Sequence, residues 1–191
     1  MKAPVLYIIS LAALLSGCVN LKPKADHTQI FTLAADVPVA ADLEGQPMVY
    51  VTRVEVPGFL EDTRILYRLA NGELESFAGA RWTDALDEAL PRAIAMHLQS
   101  TSRANVRAYY PWSNTTREAA KVAVQFERFS ANAAGQVEVV AQWQIESPDG
   151  QTKQGRYIAT GLQWDGSEVA SYVAQLNSGL AGLAETIARE L

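Results

Sequence analysis

The sequence contains one cysteine, Cys18, and two histidines, His27 and His97. A lone cysteine excludes an internal disulfide, so the fold must stand on packing alone. Two histidines far apart in the chain, with no cysteine beside them, do not have metal-ligand spacing. A Ser-His-acid triad needs an activated histidine held by a carboxylate. His97 lies between the apolar Met96 and Leu98 in a helical stretch, and it reads as a partly buried or surface histidine. Glycine-rich phosphate loops are missing, because Gly72, Gly79, Gly135 and Gly150 are isolated and read as turn glycines. Positive charge is scarce: 16 basic residues against 21 acidic ones give a net charge of −5. That balance excludes a nucleic-acid partner, which needs clustered Lys and Arg. The carboxylate pairs Glu61-Asp62 and Asp84/Asp87 fall in a turn and in the first turn of a helix. Structural roles suffice there without glycosidase chemistry. The reading is therefore of a protein that is not an enzyme and needs no cofactor or metal.

An apolar run long enough to cross a bilayer, about 20 residues, is also lacking. A shorter run is present. Lys2 is followed by a mostly apolar stretch over 5–15 that ends in Leu15-Ser16-Gly17-Cys18. A branched apolar residue, two small residues and a cysteine resemble a bacterial lipobox, so 1–17 reads as a lipoprotein signal peptide and Cys18 as the lipidated first residue of the mature chain. One acyl chain binds a membrane only reversibly, whereas two or more hold it, at about 0.8 kcal/mol per buried methylene. Val19, rather than an aspartate, follows the cysteine; the expected location is the periplasmic face of the outer membrane. Loss of Lys2 leaves 15 basic against the same 21 acidic residues, or −6, in the mature chain.

Residues 18–29 form the lipidated N-terminus and a polar tether, and 30–191 a single domain. Fully extended, residues 19–29 reach about 36–40 Å, and as a flexible coil nearer 18 Å. Strands are expected over 30–33 and 48–56, the second from its near-alternating Val49, Val51, Val54 and Val56. Pro57-Gly58 ends that strand and should present Phe59 and Leu60 at a corner of the domain, so Pro57, Gly58, Phe59 and Leu60 are the candidate partner-binding residues. Strands over 64–69 and 73–78 flank Asn71-Gly72, the favoured two-residue hairpin turn. From Thr83 the period becomes helical, with Leu86, Leu90, Ile94 and Leu98 in register and Pro91 placed to kink the helix. Further strands are expected over 106–110, 121–129, 136–146 and 153–163, the last three as an antiparallel meander with turns at 132–135 and 147–150. Asn114-Thr115-Thr116 reads as loop. A last helix carries the apolar stripe Val169, Tyr172, Val173, Leu176, Leu180, Leu183, Ile187 and Leu191, with Asp165 and Ser167 as caps. Trp82, Tyr109, Tyr110 and Trp112 could form a sugar or lipid platform; the favoured reading packs Trp82 at the start of the first helix and Trp143 in the sheet core. The architecture is α+β, a mainly antiparallel sheet packed against two main helices.

These residues resemble the ABC-transport auxiliary lipoproteins of the PqiC (YmbA) type. The resemblance rests on the Cys18 motif, Phe31-Thr32-Leu33, and the segment Val51-Thr52-Arg53-Val54-Glu55-Val56-Pro57-Gly58-Phe59-Leu60 followed by Ile65 and Arg68. It continues through Arg81-Trp82, Leu86, the strands over 122–129 and 139–145 with Trp143, and the last helix. Phe59 stands where the family often has tyrosine, and Thr83-Asp84-Ala85 where it often has a proline. The resemblance implies a subunit working beside an ABC transporter and an MCE-domain protein, moving lipids or other hydrophobic compounds across the envelope and supporting membrane integrity. It implies no catalytic residues. A homo-oligomer is a further possible partner arrangement, and a scaffold or regulatory lipoprotein of another envelope assembly machine is the alternative reading.

Replacing the lipid-bearing side chain tests the anchor. Cys18→Ala should abolish incorporation of labelled fatty acid and release a soluble or uncleaved chain; a mutant that still labels and fractionates with the outer membrane would refute it.

Overall fold

The computed structural model describes residues 27–38, 43–108, 118–132 and 134–191. Cys18, Tyr109, Tyr110, Trp112 and Asn114 lie outside them. The described chain runs β1 (Gln29–Phe31), β2 (Met48–Glu55), a 3-10 turn (Gly58–Leu60), β3 (Arg64–Arg68), β4 (Leu74–Trp82), α1 (Leu86–Thr101), β5 (Asn105–Ala108), β6 (Ala120–Ala131), β7 (Val137–Glu146), β8 (Thr152–Ile158) and α2 (Val169–Ala188). The fold is α+β with two main helices, as expected, but the strands divide into two mixed sheets.

The larger sheet has the order β5-β2-β6-β7-β8. Its second half, β6-β7-β8, is the antiparallel meander read from the sequence. Its first half is not antiparallel, because β2 pairs in parallel with both β5 and β6. Parallel neighbours need a long crossover, and the β3-β4 hairpin together with α1 supplies the one from β2 to β5. The smaller sheet, β1-β4-β3, joins a parallel pair to an antiparallel one. Alternation in a strand sets which face is buried but not which neighbour it takes or in what direction. For that reason one sheet was expected and two are found.

Several local expectations change at their ends. The β3-β4 connection is not a two-residue turn. Leu69 N–H donates to Glu73 C=O at 2.8 Å, and Gly72 N–H returns to Leu69 C=O at 2.9 Å, leaving three residues in the loop. A two-residue type I′ turn needs positive φ at both positions, whereas here only Gly72, at 86°, has it. Gly79 is not a turn glycine but sits inside β4 with φ 71°. β4 itself continues through Trp82, and α1 begins at Leu86 rather than Thr83. Pro91 does not interrupt α1, which runs on to Thr101; the ring removes only the bond its amide would have made four residues back. α2 has Glu168 in its N-cap position and no side-chain cap. Asp165 instead shapes the preceding turn, accepting the Ser167 N–H at 2.9 Å and the Ser171 hydroxyl at 3.4 Å.

The helices cover one face of the larger sheet. Leu86, Leu90, Ile94 and Leu98 of α1, and Leu176, Leu180, Leu183 and Ile187 of α2, are buried against Val49, Val51, Val122, Val124, Val139 and Ile145. The apolar stripes read from the sequence therefore form the core, although Leu191 lies beyond the helix and is exposed. Trp82 and Trp143 are both buried. Gly179 and Gly182 let α2 approach the sheet, since a Cβ at either would run into Val139 or the Tyr157 hydroxyl.

Tyr172 joins the layers. Its hydroxyl donates to the Leu66 C=O of β3 at 2.8 Å and accepts the Ala131 N–H of β6 at 3.0 Å. Its ring packs with Phe77 and Trp164 at centroid separations of 5.4 and 5.5 Å. Tyr172→Phe keeps the ring but strands a buried N–H and a buried C=O. The expected cost is about 1–3 kcal/mol, read as a lower denaturant midpoint with an unchanged slope.

Candidate functional site

The corner after β2 is built by a proline and a short turn. Pro57 sits at φ −56° and ψ 136°, extended values that lead the chain out of the ladder. Leu60 N–H then donates to Pro57 C=O at 2.8 Å, and Glu61 N–H to Gly58 C=O at 3.2 Å. This tight turn sends its two apolar residues in opposite directions. Phe59 is 43% exposed, whereas Leu60 is 3% exposed and belongs to the core. Of the pair expected at the corner, only Phe59 is free to meet another molecule; Leu60 anchors the turn from below.

Beside the corner runs a groove lined by Val54, Glu55, Val56, Pro57, Glu61 and Asp87, together with Gln125 and Phe126 of β6. Four chain segments meet here: the end of β2, the turn, the first turn of α1 and β6. The sequence placed Glu61 in a turn and Asp87 at a helix start, where the dipole favours an acid. Nothing in their spacing signalled that both would line one groove with Glu55. Two acids nearby but outside the lining are paired. Asp62 takes Arg64 at 2.7 Å, its pKa held low by the Arg64 backbone and side-chain hydrogen bonds, and Asp84 takes Arg92 at 2.5 Å.

The uncovered face of the larger sheet is different in kind. Gln125, Gln142, Gln144 and Gln154 lie there among charges that are mutually satisfied. Arg156 grips Glu127 through Nε at 2.9 Å and a terminal nitrogen at 2.6 Å, and Gln142 adds a bond at 3.1 Å. The Arg156 hydrogen bonds, then that of Gln142, lower the Glu127 pKa to about 2. Glu138 bonds both Arg68 and Arg128, linking β3 to the larger sheet. The charges on this surface are paired within the chain.

His97 is buried, more deeply than the sequence suggested, and its Nε2 finds no hydrogen-bond partner among the described residues. Desolvation lowers its pKa. Among the described residues no group of His, Cys, Asp and Glu is arranged to hold a metal, and no helix is long and apolar enough to cross a membrane.

The α+β domain thus presents an exposed aromatic corner and, near it, a groove lined in part by acids. A family model for the ABC-type transport auxiliary lipoprotein component matches residues 31–188. The chain belongs to this family of transport auxiliary lipoprotein components. No curated protein matches the sequence. Among solved structures, the chain is similar to a crystal structure of an uncharacterized protein, at 18% identity and TM-score 0.69, covering 85% of this chain and 97% of that one. It is also similar to protein XCC0632 from Xanthomonas campestris, a DUF330 member, at 16% identity and TM-score 0.58, covering 83% and 92%. Both show a shared fold. A PelC dodecamer from Paraburkholderia phytofirmans, at 14% identity and TM-score 0.42 with 73% and 87% covered, is too distant to bear on this chain.

The buried imidazole generates a pH dependence. With its folded pKa below the ordinary value, the unfolded chain binds the proton more readily, so stability rises with pH through this range. Acidification below about 6.5 should destabilise the fold by up to about 1.4 kcal/mol per pH unit. His97→Leu should flatten that slope between pH 7 and 5 in denaturant titrations, and an unchanged slope would assign it to other groups.

Proposed function

We propose that this chain is a periplasmic lipoprotein subunit, anchored through Cys18 to the outer membrane, of an MCE-type ABC transport system that moves lipids or hydrophobic compounds across the envelope and supports membrane integrity. The observation that carries the reading is the family match over residues 31–188, which begins just beyond a lipobox-like motif and a short polar segment. The role is docking rather than catalysis, in keeping with a transport auxiliary component. Phe59 supplies the contact. A few aromatic or aliphatic anchors carry most of the free energy of an interface, while charged neighbours set orientation and rate. Phe59 is the large exposed ring at the corner, and Leu60 beneath it keeps the turn in place whether or not a partner is bound.

Crosslinking in membranes followed by affinity purification should recover an MCE-domain protein with the wild-type chain. Phe59→Ser should reduce that recovery by tenfold or more while circular dichroism stays native, because the ring lies outside the core. Recovery of cell-wall or outer-membrane assembly proteins instead would support the scaffold alternative. Undiminished recovery with Phe59→Ser would remove this corner from the interface.

A further inference from the structure

The outer face of the smaller sheet carries a row of side chains, one from each strand. Ile30 of β1 lies opposite Arg81 of β4, and Arg81 lies opposite Arg64 of β3. Their chain neighbours Phe31, Trp82 and Ile65 turn the other way, in or against the core, so the row faces outward. Ile30 is 69% exposed, more than any other large apolar side chain among the described residues. Arg81 is exposed and has no carboxylate within ion-pair distance among the described residues. Arg64 holds Asp62 at 2.7 Å, which offsets one of the two positive charges. Like charges directly opposite one another in a sheet are destabilising, and an anion between the two guanidiniums removes that repulsion. A recess of about 460 Å³ opens beside the row, lined by Ile30, Arg81 and Thr83 with Thr28 and Trp82.

The place of this row in the chain identifies what covers it. Ile30 stands 12 residues beyond Cys18, and the residues between carry Lys22 and Lys24 against a single acid, Asp26. Fully extended, that stretch reaches no farther than about 40 Å. An acyl anchor at Cys18 therefore keeps this face near lipid headgroups and makes its docking intramolecular, at high effective concentration. The chain as a whole is acidic, with a net charge of −5. An anionic surface attracts this basic end of the domain and repels the remainder, which sets the orientation.

We propose that Ile30, Arg81 and Arg64 form the membrane-contacting face of the domain, the arginines on phosphates of anionic phospholipid and Ile30 between headgroups and acyl chains. The proposal rests on the reading of Cys18 as the anchor and adds which surface of the domain the membrane covers.

The test places the photocrosslinker benzoylphenylalanine at Ile30 in the full-length chain in cells, with Ala174 on the exposed side of α2 as the control position. The captured species is identified by its mass. Phospholipid adducts are expected at Ile30, and at least fivefold fewer at Ala174. In vesicles, the purified full-length chain should give at least threefold more adduct with about 30% phosphatidylglycerol than with phosphatidylcholine alone. Salt at about 500 mM should abolish that difference. Arg81→Glu should lower the yield at least threefold with native circular dichroism, and Arg81→Gln carries the same direction if the first variant does not fold. A protein adduct at Ile30, no lipid adduct, equal yields at the two positions, or indifference to phosphatidylglycerol or to Arg81 would each overturn the proposal. Fatty-acid labelling of the same sample separates this face from the anchor. A labelled chain without lipid adduct at Ile30 refutes the face alone, whereas an adduct from an unlabelled chain sustains the face and refutes the anchor.

Discussion

One hydroxyl group ties the two sheets to a helix. The Tyr172 hydroxyl gives its proton to β3 in the smaller sheet and accepts one from the end of β6 in the larger. Burial pushes its pKa far upward, so the group stays protonated and keeps its donor. Around it, Tyr67, Phe77 and Trp164 close a cluster of rings whose centroids lie 4.9 to 5.6 Å apart. The Trp164 indole N–H reaches the Glu168 carbonyl at 3.0 Å, which binds the loop after β8 to the start of α2. Asn177, farther along α2, accepts the Ala34 N–H at 2.8 Å and holds the segment after β1. With no disulfide available, α2 is the element through which the small sheet, the large sheet and the N-terminal segment are made one body.

That arrangement positions the corner after β2. β2 is an inner strand of the larger sheet, paired in parallel with β5 over its first half and with β6 as far as Glu55. Pro57 terminates it, Leu60 drives the turn into the core, and Phe59 is left outside by the same geometry. The first turn of α1 arrives beside it because β4 continues to Trp82, whose N–H bonds the Thr63 carbonyl at 2.7 Å. The groove exists only because these connections converge.

Much of this was legible in the residues. Both helices, the β6-β7-β8 meander, the β3-β4 hairpin and the strand ending at Pro57 follow from periodicity and turn chemistry, and the family resemblance followed from the segment around Val51 to Leu60. The pairing directions were not legible, because β2 has the same alternation whether its neighbours run parallel or antiparallel. The three-residue loop at Gly72 escaped for a related reason: Asn-Gly suits more than one turn, and the flanking strand register selects among them. Leu60 could not be told from Phe59, since adjacent apolar residues after a Pro-Gly step read alike until the turn sends one inward.

What the sequence determined by itself were properties of short range: the 3.6-residue stripes on α1 and α2, the breaks at proline and glycine, the lipobox-like motif at Cys18, and the single cysteine that excludes an internal disulfide. Tertiary structure alone decided that the eight described strands form two sheets, that Tyr172 becomes their shared hydrogen-bond partner, that His97 is buried, and that Glu55, Glu61 and Asp87 line a single groove. The reason is physical. Local pattern fixes a side chain's direction relative to its own backbone, whereas charge clusters, buried hydroxyls and grooves depend on distances between segments far apart in the chain, and those are set only when the whole core packs.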